Sequence, residues 1–272
     1  MSHPQLRDIP RLPVTSGLVL ISCVTMVMDA LGYELSRVDM SALAFYGEAW
    51  RIWTTVLVHG DFLHLLFNCF WIWRLGGYLE LKVGHLAVLS TFAGPAAAAS
   101  LLEYAIQGPA IGLSGMVYAL AAGLWYAGRR RVIFRDAIDD GTLRFLVGWA
   151  ILCVGLTMLD LWQVANFAHL GGAALGLLGA ATLVSHGAQR LLSAGLFVLI
   201  TASIALAASP IVRPRVAALD RSADEICYRG YRALVEREYD LGLRLLKNAA
   251  VYPEVSKRCL HNLEVAQLRA SE

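Results

Sequence analysis

The sequence predicts an all-α membrane protein, in which seven hydrophobic segments are followed by a small helical soluble tail. Of the 272 residues, 57% are hydrophobic and 16% are charged, and a soluble domain rarely has so large an apolar share. Several uninterrupted apolar runs are long enough to cross the hydrocarbon core of a bilayer. Such runs form helices in lipid, because a helix satisfies its own backbone hydrogen bonds. The net charge of +2 comes without a basic stripe, so no nucleic-acid partner is expected.

The chain begins with a polar stretch, residues 1–16, which is predicted to be cytoplasmic. This stretch lacks the order of parts of a signal peptide, so the first apolar segment, residues 17–33, is expected to remain as a membrane helix. The following stretch, residues 34–61, does not span the membrane. It carries the aromatic residues Phe45, Tyr46, Trp50 and Trp53. Because such residues favour the headgroup zone, we expect this loop to lie at the membrane interface.

Five more apolar segments complete a six-helix core, at about residues 62–79, 85–106, 114–127, 143–161 and 164–184. A seventh segment, at about 191–209, ends where Pro210 and Pro214 break the helix. The predicted divisions are an N-terminal segment, the core, the seventh membrane helix and the soluble tail, at residues 1–16, 17–185, 186–210 and 211–272.

Three consecutive arginines, residues 129–131, follow the fourth segment and predict the orientation of the chain. Lys- and Arg-rich loops remain on the cytoplasmic side, so this loop and the N-terminus are expected there. By alternation, the glycine-rich turn before the fourth segment faces outside. The tail also lies outside if all seven segments cross the membrane.

The tail is predicted to form three amphipathic helices within residues 223–268, and it resembles one tetratricopeptide repeat in its pattern of Gly230, Tyr239, Ala249 and Pro253. A single repeat has no neighbours to cover its apolar face, so we expect it to dock on the core or on a protein partner. Cys227 lies on the first helix and Cys259 on the third. They form either a disulfide or two buried thiols, and the sequence leaves both interpretations open.

The turn Gly112-Leu113-Ser114-Gly115 joins a glycine-rich loop to the apolar fourth segment. It puts a serine hydroxyl at a helix N-terminus, where backbone N–H groups lack intrahelical partners and the helix dipole favours a developing oxyanion. Tyr118 lies one turn further on the same face. Small residues at 115, 119 and 123 form a stripe that allows another membrane helix to approach closely.

Three further polar residues lie in apolar segments and are therefore candidates for function: His64, Asn68 and His169. A second stripe of small residues, at 172, 176 and 180, could pack against the stripe of the fourth segment and bring His169 to Ser114. His169 would then be the base for a Ser114 nucleophile. No acid is placed to orient His169, since Asp160 is interpreted as an interface residue, so a dyad is predicted rather than a triad.

The tetrahedral oxyanion needs hydrogen-bond donors, and the candidates are His64, the Asn68 amide and the Ser114 backbone N–H. A metal site built from His59, His64 and His169 is an alternative interpretation. The sequence has neither an HExxH motif nor an inward carboxylate to support it, and no metal is expected.

These motifs resemble the rhomboid family of intramembrane serine proteases. The resemblance rests on a set of residues in family order, namely Trp50-Arg51, His59, His64 to Asn68, Leu75-Gly76-Gly77 with Glu80, Gly112 to Gly115, Tyr118, Asn166, Ala168-His169, Gly172 and Gly176. It implies that Ser114 is the nucleophile, His169 the base, and His64, Asn68 and the Ser114 amide the oxyanion site. It further implies that Tyr118 stacks on His169 and that Arg51, His59 and Glu80 are structural.

The resemblance also implies a six-helix core, a water-filled cavity open to the outside of a bacterial inner membrane, single-spanning membrane proteins as substrates, and no cofactor. The leading hypothesis is therefore a serine endopeptidase that cleaves transmembrane proteins. A non-proteolytic relative that only binds membrane clients is the alternative. A small-solute transporter is a third, but the sequence lacks the inverted repeat or paired broken helices of many transporters.

Overall fold

A computed structural model describes residues 4–33, 35, 37–159, 161–213, 222–235, 237–251, 255 and 257–270. Within these ranges every regular element is a helix, which confirms the predicted fold class. Three residues used in the predictions above lie outside the described residues: Asp160, Pro214 and Pro253.

The first membrane helix, α1, is Pro13–Ala30 and follows a 3-10 helix, Leu6–Arg11. It begins four residues earlier than predicted because Pro13 occupies its first position, where the fixed φ of proline suits a helix and its missing N–H costs nothing. The loop after α1 contains a 3-10 helix, Ala42–Phe45, and the short α2, Arg51–Thr54, which continues as 3-10 to Leu57.

Two long helices each contain a π-helical turn. In the first, α3 (Phe62–Trp71) continues through a π-helical turn, Ile72–Gly76, into α4 (Gly77–Val83). In the second, α5 (His85–Thr91) continues through a π-helical turn, Phe92–Ala96, into α6 (Ala97–Ile106). Gly84, at φ 110°, separates the two in a conformation that suits glycine.

Four more helices complete the membrane part. They are α7 (Ser114–Gly128), α8 (Asp140–Met158), α9 (Asn166–Val184) and α10 (Gly187–Ala208). The start of α8 precedes the prediction by three residues because Asp139 caps it, its carboxylate accepting the Thr142 N–H at 2.7 Å.

Five helices of the described chain are long and apolar enough to span a membrane: Pro13–Ala30, His85–Ile106, Asp140–Met158, Asn166–Val184 and Gly187–Ala208. A sixth candidate is Phe62–Val83 together with Arg51–Leu57, which meet at a bend of 102°. Helix α7, with 15 residues, is about 22 Å long and shorter than the roughly 30 Å hydrocarbon core. Most of its side chains are buried by other helices, so it occupies the centre of the bundle. Seven crossings therefore remain a prediction.

Helices α7 and α9 pack with their backbones in contact, as the two stripes of small residues predicted. A Cβ added to Gly176 would overlap the backbone oxygen of Ala119, and one added to Gly123 would lie 2.9 Å from the backbone oxygen of Gly176. Only glycine permits this approach.

The tail consists of α11 (Ser222–Val235), α12 (Tyr239–Ala249) and α13 (Lys257–Ala270). A disulfide joins Cys227 of α11 to Cys259 of α13, with a Cα–Cα distance of 5.6 Å. Of the two interpretations left open by the sequence, the structure therefore has the disulfide.

The tail docks on the loop between α1 and α3. Ile226 and Leu246 are fully buried in one apolar cluster with Ala42 and Leu43 of that loop. At the C-terminal end of α10, the Arg213 Nε donates to the Tyr104 carbonyl at 2.7 Å, and the guanidinium lies 4.0 Å from the Tyr104 ring centroid. Tyr104 is in the last turns of α6, shortly before the turn that leads to Ser114. The tail therefore lies at the Ser114 end of the bundle.

Candidate active site

Ser114 is the first residue of α7, at the end of a turn that only glycine can form. Gly112 has φ 101°, and a Cβ added to it would lie 2.6 Å from Nε2 of His64. The loop before the turn is fixed by Thr55, whose hydroxyl donates to the Ala110 carbonyl at 2.6 Å. The serine hydroxyl is thus held at a helix N-terminus in a rigid turn.

The His169 and Ser114 side chains are in hydrogen-bond contact, with Nε2 and Oγ 2.9 Å apart. His169 is in the first turns of α9 and is 7% exposed. Its other ring nitrogen, Nδ1, has no hydrogen-bond partner among the described residues. The structure therefore brings together a serine and a histidine without an acid on the histidine.

Tyr118 holds the imidazole from one side. The rings of Tyr118 and His169 stack with centroids 4.5 Å apart and an interplanar angle of 31°. The Tyr118 hydroxyl donates to the Leu146 carbonyl of α8 at 3.0 Å, which fixes the phenol ring. Ring packing thus limits the rotation of His169, a task that an acid performs in a triad.

His64 and Asn68 lie on the same face of α3 and line a cavity with Ser114 and His169. The Asn68 amide nitrogen donates to the His64 carbonyl at 2.9 Å, which uses one of its two N–H groups. The amide group is buried, with Asn68 1% exposed. The second N–H of that amide and the His64 ring would be the donors to any negatively charged oxygen beside Ser114.

His59 lies behind the turn rather than in the cavity. The Leu113 N–H donates to its Nε2 at 3.4 Å, and its Nδ1 lies 3.2 Å from the Leu57 carbonyl. This pattern fits a neutral ring that carries its proton on Nδ1. Burial, and next the neighbouring His64, lowers the pKa of His59 to about 4. A neutral His59 therefore holds the backbone just before Ser114.

Arg51 and Glu80 are not brought to the cavity. The buried Arg51 donates from Nε to Glu48 at 2.7 Å and from Nη1 to the Asp39 carbonyl at 2.8 Å, so it organises the loop after α1. The buried Glu80 accepts the N–H groups of Val14 and Thr15 at 3.0 and 2.8 Å, so it binds the start of α1.

The cavity has a volume of ≈ 900 Å³ and opens beside Ser114. Besides the residues already named, its walls include Glu103, Gln107, Trp149, Cys153, Trp162 and Gln163. Glu103 is not among the residues predicted from the sequence, although an ionisable residue in an apolar segment is a usual signal of function. Within the described parts of the chain, no three His, Cys, Asp or Glu side chains converge as metal ligands would.

Comparison with known proteins agrees with this architecture. The family model described as "Rhomboid domain" matches residues 46–186, which is more than half of the chain. The rhomboid protease GlpG of Serratia proteamaculans (strain 568) is 35% identical over 179 residues, which are 62% of either chain. That of Enterobacter sp. (strain 638) is 34% identical over 169 residues, or 59% of either chain. The chain thus spans about three fifths of the length of these relatives. It is an integral, multi-pass membrane protein and belongs to the rhomboid family.

Proposed function

We propose that this protein is an intramembrane serine endopeptidase that cleaves transmembrane proteins with a Ser114–His169 dyad. The observation that carries the proposal is the 2.9 Å contact between His169 Nε2 and Ser114 Oγ at a helix N-terminus inside a large cavity. Two relatives of similar sequence named rhomboid proteases support the same reaction class.

In the first half of the reaction, Ser114 Oγ attacks the scissile carbonyl carbon and His169 Nε2 takes the hydroxyl proton. The carbonyl oxygen becomes an oxyanion, and the donors around it are the Ser114 N–H, the second Asn68 N–H and the His64 ring. The Ser114 N–H is free for this because the first N–H groups of a helix have no intrahelical partner. When the C–N bond breaks, the His169 imidazolium gives its proton to the departing amine and an ester to Ser114 remains.

In the second half, water replaces the amine. His169 removes a proton from water, whose oxygen attacks the ester carbon, and the same donors stabilise the second oxyanion. Collapse of this intermediate returns the proton to Ser114 Oγ and releases a carboxylic acid, which then loses its proton to water. The reaction needs no cofactor, because each proton that His169 takes is returned.

The expected substrates are single-spanning membrane proteins. The wall of the cavity combines Trp149 and Trp162 with the dyad, and amphipathic aromatic rings suit the boundary between lipid and water. Ser114 lies at the end of α7 opposite to residues 129–131, so the positive-inside rule favours a site that faces outside. We expect the membrane to be a bacterial inner membrane.

A fluorophosphonate probe tests the chemistry without knowledge of the natural substrate. Wild-type protein in liposomes should be labelled, and Ser114→Ala and His169→Ala should not, while all three keep the same melting temperature within a few degrees. Cleavage of a reporter with one transmembrane helix should show the same pattern. A folded wild-type protein that binds the reporter, but is neither labelled nor cleaves it, would establish the client-binding alternative instead.

A further inference from the structure

Glu103 is a buried carboxylate that no step of the proposed reaction uses. It lies in α6, is 3% exposed and forms part of the cavity wall with Ser114 and His169. Its Oε2 accepts the backbone N–H of Ala168 at 3.0 Å, and its carboxylate also accepts that of Phe167. A charged group in a membrane helix is costly unless it has such partners.

The two N–H groups belong to the second and third residues of α9, which begins at Asn166. They are two of the four donors that an α-helix leaves without intrahelical partners at its N-terminus. Normally the residue before the helix supplies a side-chain acceptor, but here that residue is Ala165, which makes no such bond. Glu103 therefore caps α9 from another helix, and its negative charge suits the positive end of that helix.

His169 directly follows Ala168, so the capped turn is the one that carries the imidazole. No described residue bonds its Nδ1, and Tyr118 restrains the ring on one side only. The 2.9 Å contact with Ser114 therefore depends on the position of the backbone at the start of α9. That backbone is fixed to α6 by Glu103.

We propose that Glu103 is a positioning residue for the dyad, acting on His169 through the first turn of α9. The proposal rests on the proposed function. In a triad, an acid bonds the histidine directly and orients it. Here the Glu103 carboxylate of α6 orients His169 indirectly, through its hydrogen bond to the backbone of α9.

Glu80 provides a matched control. It is also 3% exposed and also caps a helix from elsewhere in the chain, since it accepts the N–H groups of the second and third residues of α1. The residue before α1 is Leu12, which makes no side-chain cap. Glu80 is not in the cavity wall and lies about 24 Å along the helix from His64. Glu80 also pairs with His85, whose Nδ1 lies 2.7 Å from Glu80 Oε1. The loss of Glu80 therefore measures the cost of removing a buried helix-capping carboxylate that lies far from the dyad.

The experiment compares Glu103→Gln, Glu103→Ala and Glu80→Gln with the wild type. The glutamine variants keep the side-chain shape, but their amide can accept only one of the two N–H groups cleanly. For a reporter with one transmembrane helix we expect kcat to fall about tenfold in Glu103→Gln and about a hundredfold in Glu103→Ala, with KM unchanged. The rate of fluorophosphonate labelling should fall in parallel. Glu80→Gln should lower the melting temperature as much as Glu103→Gln and keep kcat within about twofold.

The results separate the two hypotheses. Wild-type labelling and cleavage that persist at full rate in both Glu103 variants overturn the positioning role and leave the proposed function intact. An equal loss of kcat in Glu103→Gln and Glu80→Gln also overturns it, because the effect is then one of helix stability. If Glu103→Ala fails to fold, the isosteric Glu103→Gln decides. A wild-type protein that is neither labelled nor active overturns the proposed function, and this inference with it.

Discussion

Gly172 of α9 lies directly against the backbone carbonyl of Gly115 in α7. A Cβ on Gly172 would overlap that oxygen. His169 precedes Gly172 by almost one helical turn, and Ser114 directly precedes Gly115. This contact therefore sets how closely the two helices approach at the dyad, beside the Glu103 bond that fixes the start of α9. The same helices touch again one turn further on, at Gly176 and Ala119.

Replacing either glycine should therefore separate the dyad. We expect Gly172→Val and Gly176→Val to push α9 away from α7, because a branched side chain cannot occupy space that the other backbone fills. Cleavage should be lost and the melting temperature lowered. Gly195→Val is the control, since nothing lies within 4 Å of a Cβ at Gly195. Full activity and unchanged stability in both stripe variants would contradict this account of the packing.

The losses of cleavage caused by removing Ser114 and His169 should not add. Ser114→Ala and His169→Ala should each abolish cleavage, and the double variant should be no worse than either one, because the two groups act as a unit. The measurement is turnover of a transmembrane reporter in liposomes, with circular dichroism as the check on folding. Substantial cleavage by a folded Ser114→Ala protein would remove Ser114 as the nucleophile.

Asn68 should matter for turnover and little for stability. Asn68→Ala removes one donor to the oxyanion, and we expect kcat to fall by roughly a hundredfold or more. His64→Ala should do similar damage. Cys69→Ala is the neighbouring control, because Cys69 follows Asn68 on the same helix without lining the cavity. Unchanged kcat in Asn68→Ala would exclude the amide from the mechanism.

His59 should make stability depend on pH. Its pKa falls from the ordinary value of 6.5 to about 4 in the folded protein, chiefly through burial. Between these values the unfolded chain binds more protons than the folded one, so stability is lost as the pH falls through this window. The full loss from His59 amounts to about 3 kcal/mol.

The measurement is the melting temperature in detergent at pH 7 and at pH 4.5. His59→Gln replaces a titrating ring with a neutral amide, so this variant should lose less stability on acidification than the wild type. His261→Gln, on the exposed surface of the tail, should behave like the wild type. Equal losses in the His59 variant and the wild type would show that another group carries the acid sensitivity.

Much of the architecture follows from the sequence, because apolar runs and small-residue stripes are local patterns. The segment predicted at 85–106 coincides with α5 to α6, and the stripes of small residues predicted that α7 and α9 pack against each other. The same stripes predicted that His169 would come close to Ser114. The starts of α1 and α8 were predicted three to four residues late. Pro13 begins α1 and Asp139 caps α8, so both helices start with residues that are not part of an apolar run.

What the sequence did not predict depends on contacts between distant residues. Glu103 caps α9 across 65 positions, and no local spacing relates an acid in one segment to free N–H groups in another. The sequence predicted that the tail docks on the core or on a partner, but the contact with Ala42 and Leu43 in particular is of the same long-range kind. The amphipathic tail helices indicate an apolar face that needs a partner, but they do not indicate which surface covers it.

The disulfide of the tail can be tested by counting free thiols. With the Cys227–Cys259 disulfide formed, the denatured protein should show three free thiols before reduction, from Cys23, Cys69 and Cys153, and five after it.

Because the tail docks at the Ser114 end of the bundle, which we expect to face outside, the disulfide should lie in a compartment that tolerates it. In a Cys23/Cys69/Cys153→Ser background, a membrane-impermeant maleimide should therefore label the tail of intact cells after mild reduction. Cys227→Ser removes the disulfide and should therefore melt at a lower temperature than the wild type. The opposite result would be five free thiols before reduction, with the tail labelled only after the inner membrane is permeabilised. That result would place the tail in the cytoplasm and mean that α10 does not cross the membrane fully.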